Sequence, residues 1–256
     1  MSTALQQHIG YDNKVTIYNI AADSEQAAFP AINLAYPETT SRWKSDDSSS
    51  VQYVMVTLGG KAVDYIGLAG HNFGTGGCAL LVQGQAIQGG AWADIVASFS
   101  PSNDKPILKT FASVSYYAVR LKITPAGTKP VLAVLYVGKI MLLPRNTYVG
   151  HTPIPYGRTV EAVSGFSESG QFLGRIVRGT TYRTAVSVKN ITPAWYRQTF
   201  EGFVAASATA PFFYAWRLTD YALEIGYCWI KGGVPQPQNS GPGAFMAVSF
   251  DIEGIA

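Results

Sequence analysis

The chain is 256 residues long, enough for one large or two ordinary domains with cores of their own. Charged residues make up 14% of it, against roughly 25% in an average soluble domain, so the surface is either solvated by Ser, Thr and Asn or covered by partners. A net charge of +3 is too small to argue for a nucleic-acid partner, which needs clustered Lys and Arg.

Residues 1–7 have neither the basic start nor the apolar core of a signal peptide, which leads us to expect a protein made in the cytosol. Residues 14–18 read as a first strand and 23–28 as a short helical turn. Residues 51–58 alternate apolar and polar and end at Gly59-Gly60, a turn signal. Residues 63–68 form another strand that runs out into the glycine-rich loop 70–77. Residues 79–83, 117–123 and 131–137 read as strands separated by the turns Gly89-Gly90 and 125–127. The apolar run 131–143 is too short to span a membrane and is broken by Gly138 and Lys139. Prolines and glycines crowd 144–157, which suits an extended linker better than a sheet. Beyond it come a strand at 184–188, a helical turn at 220–224, a turn at Gly232-Gly233 and a closing strand at 247–254. The pattern predicts an all-β chain with a first domain at 1–143, a linker at 144–157 and a second domain at 158–256.

Motifs for catalysis are absent. His8, His71 and His151 are scattered, and none stands four residues from another as a zinc helix requires. His71 and Cys78 invite a nucleophile–base reading, but no third, orienting group accompanies them and structural roles are the plainer reading. The loop 70–77 lacks the Gly-Lys-Ser/Thr ending of a phosphate loop. Asp46 and Asp47 beside three serines could offer oxygen ligands to a cation, or simply form a solvated loop. No carboxylate pair stands out for glycoside hydrolysis. We therefore expect binding rather than catalysis, with no cofactor and no metal.

Aromatic residues are the remaining candidates. Trp43 reads as an anchor of the core, whereas Trp92, just after Gly89-Gly90, would suit stacking on the apolar face of a sugar ring. Trp92, Arg42, Asp46, Asp47, His71 and Asn72 make up the candidate ligand-binding set. Cys78 and Cys228 lie far apart and are expected as buried free thiols. Arginines crowd residues 158–217, either as a solvated strand face or as a surface facing other subunits or DNA, though their spacing does not suggest a nucleic-acid helix motif. Arg175, Arg178, Arg183, Arg197, Phe212, Phe213 and Trp216 are the candidate subunit interface.

Taken together, Asn33-Leu34, Trp43, the strands at 54–58, 63–68 and 117–121, and the closing 137–140 resemble the discoidin-like (coagulation-factor type C) family over residues 10–142. The resemblance implies a jelly-roll β-sandwich that binds carbohydrate or lipid head groups through loops at one end, here 21–29, 42–50 and 70–77. The terminal cysteine pair common in that family is missing. The variant Tyr65-Ile66-Gly67-Leu68-Ala69-Gly70-His71-Asn72 looks like the version found in tailed-phage structural proteins. The second half, with the strand 182–189, the Pro-Phe-Phe-x-x-Trp run 211–216 and the glycine near its end, is similar to a tail-tube or distal-tail hub domain. That implies a structural protein of a siphophage tail tip or baseplate, located in the virion. Its copies would close a homo-oligomeric, hexameric ring, with tail-tube, hub or fibre and tape-measure proteins as partners. The outer sandwich would bind host surface glycan or dock other tail proteins. A free carbohydrate-binding module or lectin with an auxiliary β domain is the alternative.

Overall fold

A computed structural model describes residues 6–147, 150–240 and 244–256. The first segment contains β1 (His8–Gly10), β2 (Ile20–Ala22), β3 (Trp43–Lys44), β4 (Gln52–Ala69), β5 (Ala79–Gln85), β6 (Trp92–Phe99), β7 (Ile107–Thr124), β8 (Val131–Leu132), β9 (Val134–Gly138) and β10 (Met141–Leu142). The second contains β11 (Arg158–Phe166), β12 (Phe172–Ile191), α1 (Pro193–Trp195), α2 (Glu201–Ser207), β13 (Phe212–Ala215) and β14 (Ile225–Asn239), and the third β15 (Met246–Ile255).

Two long strands organise the first half. β4 and β7 pair antiparallel along nearly their whole length, and the sheet runs β2-β4-β7-β5-β6, with β9 on the far part of β4. Gly59-Gly60 does not end the strand as its sequence suggests. Both glycines have positive φ, 63° and 85°, and they absorb a register shift that bends β4 without terminating it. Both parts of the bent strand point apolar residues into one core: Val54, Val56 and Leu58 before the bend, Val63, Ile66 and Leu68 after it, beside Leu135 and Val137 of the neighbouring β9. The result is a β-sandwich. Trp43 is wholly buried in that core, and its indole Nε1 donates to Ser24 O at 2.9 Å. Residues 14–18, expected as a strand, form an irregular segment and turn. There Asn13 and Asn19 side chains bond the backbone at Val15, Thr16 and Lys14, in place of a ladder.

The second sheet runs β10-β1-β13-β14-β15-β12-β11. Its membership crosses the expected boundary at 143, because β1 pairs β13 on one side and β10 on the other. Both ends of the first segment are thus strands of the second sheet. Gly232-Gly233, read as a turn, lies inside β14 at a register shift against β15. Residues 193–207 are helical, with a wide π turn between α1 and α2, where no helix was expected. Thr192 caps the start by accepting from Trp195 N, and Tyr196, Phe200 and Phe203 line its buried face. The residues expected to form a helical turn at 220–224 do turn, whereas 23–28 contain bends and a single turn at 27–28, closed by Phe29 N donating to Gln26 O at 2.7 Å.

A third cluster joins the halves: Tyr65, Ala69, Ala133, Val134 and Tyr136 of the sandwich meet Phe213, Ala215, Ile225 and Tyr227 of the second sheet. Gly67 permits the contact, since a Cβ there would lie 2.5 Å from the Phe213 ring. The tyrosine hydroxyls bond reciprocally across it. Tyr227 donates to Pro37 O at 2.5 Å and Tyr136 to Pro211 O at 3.0 Å. Each buried hydroxyl thereby keeps a partner, as interior polar groups require. The two halves form one packed unit.

Candidate functional site

The loops expected to bind ligand spend their polar groups on themselves. His71 is buried and stacked on Phe73 with ring centroids 4.8 Å apart; its Nε2 lies 2.9 Å from Lys105 O, and Nδ1 accepts from Phe73 N. Asn72 bridges Lys129 O and Val131 N. Asp46 pairs with Lys129 at 3.1 Å. Asp47 accepts from Ser49 N, Ser49 Oγ and Ser50 N, and hydrogen bonding from the Ser50 side chain first, then from Ser49, holds its carboxyl below the usual range. Arg42 lies 5.7 Å over the Phe29 ring. These residues build the loop end of the sandwich. Cys78 is buried beside them and Cys228 lies in the second core, both as free thiols.

All three histidines have pKa values lowered first by burial. The fold holds them neutral, while the unfolded chain takes up their protons near pH 6.5. Their contribution to stability is present above that pH and is lost as pH falls toward the folded values. Thermal melts from about pH 7.5 to about pH 5 should show this decline, and His71→Gln should flatten it.

Trp92 leads elsewhere. It opens β6, the edge strand, opposite Gln85 of β5. Alternation along the strands puts Met55 and Tyr53 of β4, Arg120 of β7, and Gln83 of β5 on the sheet face away from the core. Register then aligns Ala21, Met55, Arg120, Gln83 and Asp94 in one row across five strands. The Arg120 guanidinium carbon lies 4.2 Å from the Tyr53 ring centre and 4.1 Å from that of Trp92. Tyr53 is in register with Lys122, and Trp92 through Gln85 with Ala118, so the two rings flank Arg120 from opposite directions along β7. Trp92 is therefore half-buried and one of its faces is covered, unlike the open stacking platform expected from the sequence.

Hydrogen bonds fix the cluster further. Arg120 Nε donates to Gln83 Oε1 at 2.8 Å, and Gln83 Nε2 donates to Asp94 Oδ1 at 2.7 Å. Asp23 Oδ1 accepts from Tyr53 N at 2.9 Å. Burial lowers the Arg120 pKa from its ordinary value, with Tyr53, Asp23 and Asp94 acting the other way. Beside the cluster is a hollow of about 300 Å³ lined by Ala21, Ala22, Asp23, Tyr53, Met55 and Arg120. It combines an apolar floor, a cationic donor and a carboxylate acceptor. A second hollow of about 160 Å³ lies where Phe99, Lys105 and Lys109 approach Leu223, and it has no carboxylate.

Among the candidate interface residues, Phe212 and Phe213 are wholly buried within the chain, which corrects their expected place at a subunit interface. Phe212 meets Phe203 in the second core and Phe213 fills the junction. Trp216 stacks on Tyr221 and under Arg217. Arg183 pairs with Glu253 at 2.9 Å, and Arg197 donates to Pro193 O. Arg175 and Arg178 are exposed on the β11–β12 hairpin.

Among the described residues no cluster of His, Cys, Asp and Glu could hold a metal, and no helix is long and apolar enough to cross a membrane. No protein-family model and no curated protein matches the chain. Among solved structures it is similar to chitosan-binding module 1 from a chitosanase/glucanase of Paenibacillus sp. IK-5, with 19% identity and a TM-score of 0.44, covering 49% of this chain and 98% of that one. It is also similar to chitosan-binding module 2 of the same enzyme in complex with chitotriose, with 20% identity and a TM-score of 0.41, over 54% of this chain and 99% of that one. A Clostridium perfringens module in complex with GalNAc-β-1,3-galactose is similar at 15% identity and a TM-score of 0.41, over 46% of this chain and 93% of that one.

Proposed function

We propose that this chain binds glycan on the outer sheet face around Tyr53, Arg120 and Trp92. The Arg120 clamp beside the hollow carries the reading. A pyranose presents apolar C–H patches together with hydroxyls that both donate and accept. Met55 and Ala21 suit the patches, Arg120 suits the acceptors, and Asp23 and Asp94 suit the donors. The site is assigned binding and no catalytic step. Retention of the whole chain on a panel of immobilised neutral and acidic polysaccharides tests this. We expect retention of at least one, weakened about tenfold or more by Trp92→Ala or Arg120→Ala. Failure to bind any member, or equal retention of both variants, would sink the reading.

A second reading, in which the chain is a ring-forming component of a phage tail tip, draws support from the β11–β12 hairpin. Beyond its root it stands clear of both cores, with Phe166, Phe172, Leu173 and Ile176 between 61% and 72% exposed. An exposed apolar arm with an open strand edge favours association. Light scattering should then show a concentration-dependent oligomer that Leu173→Ser with Ile176→Ser reduces to a monomer. A wild-type monomer at every concentration would count against the ring.

A further inference from the structure

We propose that the glycan received by this face is acidic, a uronic-acid sugar whose carboxylate is taken by the terminal Nη groups of Arg120. The inference rests on the glycan-binding reading and deepens it.

Arg120 differs from the ion-paired cations of the chain, and unlike Arg42, Lys109 and Arg217, which each lie over one ring, it lies between two. Lys14, Lys129, Lys139, Arg183 and Lys231 each have a carboxylate within 4 Å. Arg120 has none among the described residues, although it is partly withdrawn from water and two carboxylates stand near it. Both are engaged elsewhere, Asp94 by Gln83 and Asp23 by the Tyr53 amide. The rings on either side keep the guanidinium from swinging toward them, and Gln83 holds Nε.

What remains is the planar end of the fork, pre-oriented at the rim of the hollow. That end matches the two oxygens of a carboxylate, and a charge-assisted pair is about twice as strong as a bond to a neutral hydroxyl. Lys122, two residues along β7 and paired with Tyr53, adds a second positive charge on the same face. Asp23 and Asp94 oppose an anion at long range, but they supply acceptors for the ring hydroxyls that flank a uronate carboxylate.

Calorimetric titration of the full chain with oligogalacturonate, oligomannuronate and a glucuronate-containing hyaluronan oligomer tests this, each against its carboxyl-reduced counterpart. We expect at least one acid form to bind about tenfold or more tightly than its reduced form. Its affinity should fall steeply from about 50 mM to about 500 mM salt. Arg120→Lys, which keeps the charge and loses the fork, should bind at intermediate strength, with its melting temperature confirming that it folds. Lys122→Ala should weaken the acid form alone. Equal affinity for acid and reduced forms, or binding confined to neutral glycans, overturns the carboxylate and leaves glycan binding standing. Absence of binding to any glycan overturns both.

Discussion

Phe213→Ala should destabilise the chain by about 3–5 kcal/mol and split its unfolding into two transitions. The ring is wholly buried, meets Tyr136 and Tyr227 at centroid distances of 5.5 Å and 5.0 Å, and packs directly on Gly67. Its removal leaves a cavity between two sheets that are otherwise joined by the rest of the junction cluster and tyrosine hydrogen bonds. Phe212→Ala is the control. Its neighbour is Phe203 in the second core, so it should lower the second half while leaving the junction intact. Differential scanning calorimetry distinguishes the two. A single transition at the wild-type temperature in Phe213→Ala would contradict the junction described here.

Trp43→Ala should cost a comparable ~3–5 kcal/mol, now within the sandwich. The side chain is the largest wholly buried one, and its loss also leaves the Ser24 carbonyl without its indole donor. Urea denaturation followed by circular dichroism measures this. Trp92→Ala, by contrast, removes a half-buried ring from an edge strand and should cost about 1 kcal/mol or less. A stability loss equal to that of Trp43→Ala would show that Trp92 anchors the fold and does not serve a site.

Period-two alternation made the strands around Val54, Val119 and Val186 legible, and Trp43 could be read as a core anchor from its place before them. Gly89-Gly90 does turn as read, but two other glycine pairs misled, because such a pair does not say whether the chain reverses or bulges. Gly59-Gly60 and Gly232-Gly233 both bulge within continuing strands. β1 and β10 are too short to show any period, so their membership in the second sheet depends on contacts far away in sequence. The helical segment did leave a signal, Thr192-Pro193 followed by Tyr196, Phe200 and Phe203 at helical spacing, hidden by its aromatic content. Trp92 was visible as a candidate, but Arg120, Tyr53 and Gln83 were not. Their meeting depends on the register that sets Arg120 between Met55 and Gln83, which a single strand cannot reveal. Conversely, Asp47 bonds its neighbours Ser49 and Ser50, whereas the backbone partners of His71 and Asn72 lie far along the chain and come only with folding.

The central claim is that ligand meets the outer sheet face and not the loop end of the sandwich. Titrating isotope-labelled protein with a retained glycan, and following the Trp92 indole, Gln83 side-chain amide and Arg120 Nε–H signals by NMR, tests it directly. The account predicts that these three signals shift together with Tyr53 and Ala21, while Asn72 and residues 46–49 stay in place. Shifts confined to 42–50 and 70–77, with Trp92 and Arg120 unmoved, would contradict it.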